Sequence, residues 1–475
     1  MTVPTEQLLP SGHDGDQTAI QNLTLRFYYG LNNEPIDLRK ALFWSSKASS
    51  AKDKQGLYIN GVLQLCLRND PVAAYNKFNN ASRSLHGKAT YLAALCLRNG
   101  FGVLLSPLRA YEKLQDGVEV LNDPLCMIGL GDCYKFGVHV DVDYSKARYY
   151  YDLAKETSQC DRYRTLFQNT LHHAENGGCC VEMHVIGICY YHGIAVPQDE
   201  SKALYWLDRS SQYKYAEAFF YLGHFYQHGL GTDEDEVKAI SFYKKAADLD
   251  HPWAMNKIGE IYDSQMDAQE DAFHWHFRAA RTGCPRSMFK TALAYDFGAG
   301  VAVDKELAYD WYSKAVDAGF NFALVNLGKC WFTGSGIKKN PEKCFNAFLQ
   351  AAQLNYAEAM VYVGHCYLKG VGVDLNTREA FLWYSKAAER GRAEGIFEVG
   401  MCKLNGVGCD EDTSDAYQSF LKAAELEYYP AKEKVLYCLK HSIGVATDYS
   451  LIDQWESELK NRKIEHHGDS NCSLM

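Results

Sequence analysis

Residues 357–391 read AEAMVYVGHCYLKGVGVDLNTREAFLWYSKAAERG, and the stretch divides at its glycines into two helical phases. Before them, small residues at Ala359 and Gly364 are followed by an aromatic at Tyr367. Small side chains on one face let a second helix approach closely, and the aromatic fills the space beside them. Gly370 and Gly372 come next; glycine reaches left-handed backbone conformations cheaply, so these two end the first helix and shape a turn. After the turn, Ala380, Trp383 and the pair Ala387-Ala388 recur at spacings of three and four and so share one face of a second helix. The unit is a helix-turn-helix that cannot bury its apolar face alone.

Copies of this unit fill much of the chain. The small residue at position 364 has equivalents at Gly187, Gly223, Gly259, Ala292, Gly328 and Gly400, with successive steps of 36, 36, 33, 36, 36 and 36 residues. Five residues earlier stand Ala218, Ala254, Ser287, Ala323, Ala359 and Gly395, and three residues later Tyr190, Tyr226, Tyr262, Tyr295, Trp331 and Tyr367. The paired glycines recur as Gly229/Gly231, Gly298/Gly300, Gly334/Gly336 and Gly406/Gly408. In the second helix, Ala203, Ala239, Ala308 and Ala416 match Ala380, and Trp206, Phe242 and Trp311 match Trp383, all expected to face inward. Fixed self-similarity at this period is the signature of a solenoid.

Upstream the pattern decays. Gly131, Tyr134, Gly137, Ala147 and Ala154 form one repeat, Ala94, Gly100, Gly102 and Ala110 another, and worn copies reach back toward residue 19. From Gly131 to Gly187 the step is 56 residues, one repeat plus twenty. The expected organisation is therefore a flexible N-terminus over 1–18, divergent repeats over 19–156 and an insertion or kink at 157–176. Regular repeats over 177–446, a capping helix at 447–463 and a flexible tail over 464–475 follow. Terminal repeats of solenoids need a cap with a polar outer face.

The string small-x-x-x-x-Gly-x-x-Tyr-x-x-Gly-x-Gly-Val, followed by Ala-x-x-Trp-Tyr-x-Lys-Ala-Ala-x-x-Gly, resembles the Sel1-like repeat, a relative of the tetratricopeptide repeat with a slightly longer turn. The resemblance is strong over about residues 125–430 and weaker elsewhere. It implies an all-α fold, a right-handed α-solenoid of helix-turn-helix repeats about 36 residues long, used to bring proteins together. The implied function is that of a non-enzymatic scaffold or adaptor whose partners are proteins bound on the solenoid surface.

Composition narrows the partners. A net charge of −10 argues against nucleic acid, because phosphate binding needs a basic face with counterions to release. No basic-then-apolar leader opens the sequence and no run reaches about 18 apolar residues, so a cytoplasmic protein is expected. Sixteen Cys in a reducing compartment read as free thiols, mostly small buried hydrophobes.

Chemistry-bearing motifs are mostly absorbed by the repeat. Cys133, Cys189, Cys330, Cys366, Cys402 and Cys438 all stand two residues after the index position. Equivalent residues of stacked helices lie about 10 Å apart, beyond disulfide or zinc reach, so core packing is expected. His172, His173, Cys179, Cys180 and His184 are metal-ligand types in a short stretch, but without paired Cys-x-x-Cys arms they read as a loop and a helix start. The acidic runs at 233–236 and 410–412 lack the central Gly and terminal Glu of a calcium loop, so helix capping is the better reading. Gly370-Val371-Gly372 follows no strand and precedes no Gly-Lys-Ser/Thr, and no nucleophile elbow or His-Glu-x-x-His occurs. Neither catalytic residues, cofactor, metal nor small-molecule substrate is expected.

Cys472-Ser473-Leu474-Met475 fits a Cys-a-a-X prenylation signal, with Met favouring farnesyl and Cys472 as the lipidated residue. One lipid gives only reversible membrane binding, so a partner would supply the rest at the cytosolic face of a membrane. Sel1-repeat chains ending in such a box resemble the fungal activators of chitin synthase, which implies an adaptor that organises or activates a membrane protein. An adaptor of ER-associated degradation and its ubiquitin ligase is one alternative, although that class carries a signal peptide and a transmembrane helix. A secreted β-lactamase-like repeat protein is another, although those carry two Cys per repeat where this chain has one.

Overall fold

The computed structural model of the protein describes residues 3–32, 34–159, 161–265 and 267–468. Among these it contains 26 helices and no strand, arranged in consecutive pairs. Helix α1 (Thr5–His13) precedes the pairs α2/α3 (Gln17–Tyr29, Leu38–Ser50), α4/α5 (Lys54–Arg68, Pro71–Arg83), α6/α7 (Gly87–Asn99, Pro107–Glu119) and α8/α9 (Pro124–Phe136, Tyr144–Thr157). A single helix, α10 (Asp161–Glu175), comes before α11/α12 (Cys180–His192, Glu200–Ser211), α13/α14 (Ala216–Gln227, Glu236–Ala247) and α15/α16 (Pro252–Asp263, Gln269–Arg281). The series continues with α17/α18 (Pro285–Phe297, Lys305–Asp317), α19/α20 (Ala323–Thr333, Pro341–Gln353) and α21/α22 (Ala357–Lys369, Thr377–Glu389). It closes with α23/α24 (Ala393–Asn405, Thr413–Glu425) and α25/α26 (Tyr429–His441, Tyr449–Gly468). Two compact units result: one runs to Thr291 and takes in Ala318–Phe320, and the other comprises Ala292–Asp317 and the chain from Asn321 onward.

In most pairs a side chain of the second helix, usually a ring, is set against a glycine of the first. Gly131, Gly187, Gly223, Gly328, Gly364 and Gly400 face the side chain twenty residues downstream: Tyr151, Leu207, Tyr243, Phe348, Tyr384 and Phe420. A Cβ on any of these glycines would lie 2.3–2.9 Å from that side chain, well inside van der Waals contact. Here the structure corrects the pattern. Of the positions expected to point inward, Trp206 is buried, but Phe242, Trp311 and Trp383 are half-buried, and the fully buried ring is the next residue, Tyr243, Tyr312 or Tyr384. One residue turns a helix by about 100°, so only one of two neighbouring rings can face the glycine of the first helix. The tryptophans lie instead at the edge beneath lysine stems, with Lys386 Nζ 3.9 Å from the Trp383 ring and Lys314 Nζ 4.3 Å from that of Trp311.

Turn chemistry then fixes how pairs stack. Gly370 and Gly372 have φ of 65° and 71°, and a Cβ on Gly372 would lie 2.0 Å from the Pro341 carbonyl oxygen of the preceding pair. Gly408 meets Thr377 in the same way, so the second glycine is required by backbone-to-backbone approach as well as by its φ. Second helices open on a capping side chain: Asp199, Asp235, Asn340, Asn376 and Asp412 each accept from the N–H three residues on. Asp235 and Asp412 belong to the acidic runs, and capping is their role. The six repeat cysteines are buried among the core side chains.

Three segments outside the regular array carry structure of their own. Within residues 1–18, expected to be flexible, α1 places Gly12 where a Cβ would lie 2.8 Å from Leu23 and 2.9 Å from Trp44. That face is too short to be read from periodicity. The extra residues near 157–176 form α10, and α26 continues to Gly468, past the expected end of the cap at 463.

Candidate protein-binding surface

Within each unit the first helices of successive pairs form a face, and the two units use theirs differently. In the first unit the stack curls until that face meets itself. Arg98 on α6 pairs with Glu217 on α13, which also accepts from Asn99 Nδ2 at 2.5 Å and contacts His251 Nε2 at 3.1 Å. Trp253 Nε1 donates to the Arg98 carbonyl at 3.1 Å. Nearer the N-terminus, Glu182 on α11 is paired with His173 on α10 and lies 3.5 Å from the Tyr58 hydroxyl on α4. On α8, Asp132 accepts from Tyr151 at 2.8 Å and from Tyr221, while Lys135 Nζ lies 2.8 Å from His224 Nε2 and 3.2 Å from the Tyr191 hydroxyl. The face is filled by the protein's own side chains.

These groups are buried, and their protonation follows from that. Burial pushes the Glu217 carboxyl up, but the Arg98 guanidinium and then His251 overrule it and hold the group well below the usual carboxylate range. Burial raises Glu182 as well, and His173 brings it below its ordinary value. His184, packed edge-on against Tyr215 and Tyr221, is driven down to about 4 by burial. Tyr221 is buried and donates to Asp132.

In the second unit the first-helix face is open. Lys329 on α19 donates to Glu358 on α21 at 2.7 Å, and its Nζ lies 5.2 Å from the Tyr362 ring. One repeat on, α23 carries Glu394 and Glu398, and the turn after α24 supplies Tyr428, whose ring lies 5.4 Å from that of Phe397. Burial and the neighbouring Glu394 raise Glu398 to about 6, with Lys369 opposing. Tyr362 and Tyr428 both feel Glu394, so the two phenols and two carboxylates share one patch. Each is half-buried, with Glu394 25% exposed and in an ion pair with the exposed Arg392 at 3.5 Å. A patch of two acids walled by two aromatic rings fits a cationic side chain, which gains from the carboxylates and from the ring faces.

The residues that the sequence put forward are placed as follows. His173 is spent on Glu182, His172 is exposed beside Asn176, and Cys180 Sγ lies 3.7 Å from Cys66 Sγ. Among the described residues no group of three His, Cys, Asp or Glu side chains is arranged to hold a metal. Cys472 lies outside the described residues. Glu394, Glu398 and Tyr428 were not foreseen. The signal that finds them is position: residues six and two before the index glycine, namely Glu358 and Tyr362, then Glu394 and Glu398, project on the first-helix face and are free to vary from repeat to repeat.

Sel1 repeat sequences match at residues 22–53, 87–112, 124–156, 183–212, 211–251, 285–320, 321–356, 357–391 and 393–428, together well over half of the chain. The chain belongs to the Sel1 repeat family. Among solved structures it is similar to c5321, a protective antigen present in uropathogenic Escherichia coli strains displaying an SLR fold, with 22% identity, a TM-score of 0.51 and coverage of 100% of this chain and 99% of that one. It is also similar to a Sel1 repeat protein from Oxalobacter formigenes, with 24% identity, a TM-score of 0.47 and coverage of 70% and 93%. Among proteins of curated function none matches. Sel1 repeat proteins generally act as scaffolds for protein–protein interaction, and Sel1 solenoids typically bind other proteins without catalysis. Among the described residues of this Sel1-repeat chain, no helix is long and apolar enough to cross a membrane.

Proposed function

We propose that the protein is an adaptor that holds a partner protein on the first-helix face of its second unit, anchored by a Lys or Arg of that partner between Tyr362 and Tyr428. The observation that carries this reading is the acidic pair Glu394 and Glu398, half-buried, with Glu398 raised to about 6. At Glu398 the pull of Lys369 offsets burial and Glu394 only in part, and a partner's cation would lower the group further and gain affinity in doing so. Selection from a random peptide library against the full chain tests the reading. Enrichment of peptides centred on Lys or Arg, lost in Glu394→Gln/Glu398→Gln, is the expected result. Enrichment without basic residues, or retained by the double variant, overturns it.

The finer reading adds recruitment to a membrane. Cys472, in its Cys-a-a-X context, carries a farnesyl group and biases the adaptor toward the cytosolic face, where the bound partner is a membrane protein organised or activated as by chitin synthase activators. Mass spectrometry of the C-terminal peptide from a eukaryotic host, with Cys472→Ser as control, decides this. An unmodified cysteine removes the membrane part and leaves the adaptor.

A further inference from the structure

The first unit has filled its first-helix face, yet it keeps a cavity of about 510 Å³ beside α10. That volume is within the range of roughly 300–1,000 Å³ usual for small-molecule sites. Its rim carries Lys54 at the start of α4 and Arg162 at the start of α10, both exposed, and its wall carries Lys88 of α6. Tyr58 is buried at its floor, and Tyr163 stands at its side next to the Arg162 guanidinium.

Three cations line the cavity, and the two carboxyls within electrostatic reach of Lys88, those of Asp123 and Glu182, are both engaged elsewhere in the fold. None of Lys54, Lys88 or Arg162 forms an ion pair among the described residues; Lys88 Nζ donates to Thr170 Oγ1 at 2.6 Å, and Lys54 Nζ lies 3.5 Å from the Leu85 carbonyl oxygen. The carboxylate in the wall, Asp123, is engaged as the cap of α8, accepting from the N–H groups of Leu125 and Cys126. His86 reports the resulting field. Its ring stacks on Tyr58 with centroids 4.7 Å apart, lies 2.9 Å from Gln55 Oε1 through Nε2 and accepts from the Ala89 N–H through Nδ1. Burial and then the Lys88 and Lys54 ammonium groups drive it down to about 4. A basic, aromatic-floored cavity on a chain of net charge −10 is a local exception that packing does not require.

We propose that this cavity binds a small organic phosphate. A phosphate monoester brings about −1.5 to −2 charges and three acceptor oxygens, which suits an Arg fork flanked by two lysines, and an apolar or aromatic body lies against the tyrosines. A singly charged carboxylate leaves most of the positive charge unanswered. The site is in the first unit and is independent of the protein-docking reading, so either stands if the other fails.

Calorimetric titration of the full chain tests it with adenosine 5′-monophosphate and O-phospho-L-tyrosine, which carry the same group on different aromatic bodies, against adenosine and inorganic phosphate. At least one of the two phosphomonoesters binds at least tenfold more tightly than both adenosine and inorganic phosphate. Lys54→Gln and Arg162→Gln, at exposed positions that leave the helices intact, each weaken it about tenfold or more, while Arg148→Gln on α9 leaves it unchanged. No heat with either phosphomonoester, equal affinity for adenosine or for inorganic phosphate, or equal weakening by Arg148→Gln overturns the proposal.

Discussion

Replacing Gly364 by Ala probes a contact that recurs in most of the regular repeats. In an isolated helix the change is favourable by about 1 kcal/mol, because Ala loses less backbone freedom on folding. Here the new methyl would lie 2.4 Å from Tyr384 Cε1, 2.7 Å from Cδ1 and 2.9 Å from Cζ. Relief to about 3.5 Å requires the ring to move by roughly an ångström. The ring is fixed, since Tyr384 is fully buried and its hydroxyl lies 2.8 Å from His365 Nδ1. Overpacking of this kind costs about 1–3 kcal/mol, and loss of the hydrogen bond adds about 1 kcal/mol. Against the propensity gain, the net destabilisation is about 1–3 kcal/mol. Urea unfolding followed by circular dichroism measures it, and the Tyr384→Ala background supplies the control: there Gly364→Ala is neutral or stabilising, giving a coupling of about 1–3 kcal/mol. A single variant as stable as the parent, or no coupling, refutes the ring-into-glycine account.

Three further outcomes follow from the same geometry. Arg98→Met leaves Glu217 as an uncompensated buried charge and destabilises the first unit by about 3–5 kcal/mol; because Glu217 is depressed in the folded state, the contribution it makes in the parent is present above its ordinary value of 4.5 and lost as pH falls below it. His184 is also depressed, from 6.5 to about 4, so the unfolded chain takes up a proton that the folded chain refuses, and stability on the order of 3 kcal/mol is lost between pH 6.5 and 4; His184→Phe keeps the ring and makes the fall of the melting temperature across that window shallower, leaving the shares of His86, His192 and His224, whereas an unchanged slope contradicts the assignment. Gly408→Ala combines a φ of 74° with a Cβ 2.0 Å from the Thr377 carbonyl oxygen, so it lowers the denaturation midpoint more than Gly364→Ala does, because backbone cannot move aside as a ring can.

How much of this was legible depended on whether a feature repeats. The repeat phase placed the helix pairs, the glycine turns, the capping acids at Asp235 and Asp412 and the buried cysteines, since each is a local requirement restated in every copy. It misjudged the plug, because Trp383 is the larger side chain and Tyr384 the buried one, and only the facing glycine decides between neighbours on the helix. The pairing of Arg98 with Glu217 joins residues 119 apart, brought together by the curl of the stack, and no periodicity encodes it. Lys54, Lys88 and Arg162 meet for the same reason. Glu394 and Glu398 sit at positions that the fold leaves free, so one sequence marks them only as charged surface.

Docking on the second unit is most directly tested by hydrogen–deuterium exchange of the full chain with and without a Lys/Arg-centred peptide taken from the library, at pH 7 and at pH 5. Slowed exchange confined to α21, α23 and α25 at pH 7 is the expected result. At pH 5, where a carboxyl raised to about 6 is mostly protonated, the affinity falls by about tenfold. Protection on α4, α6 or α13 instead, or binding indifferent to pH, contradicts the account.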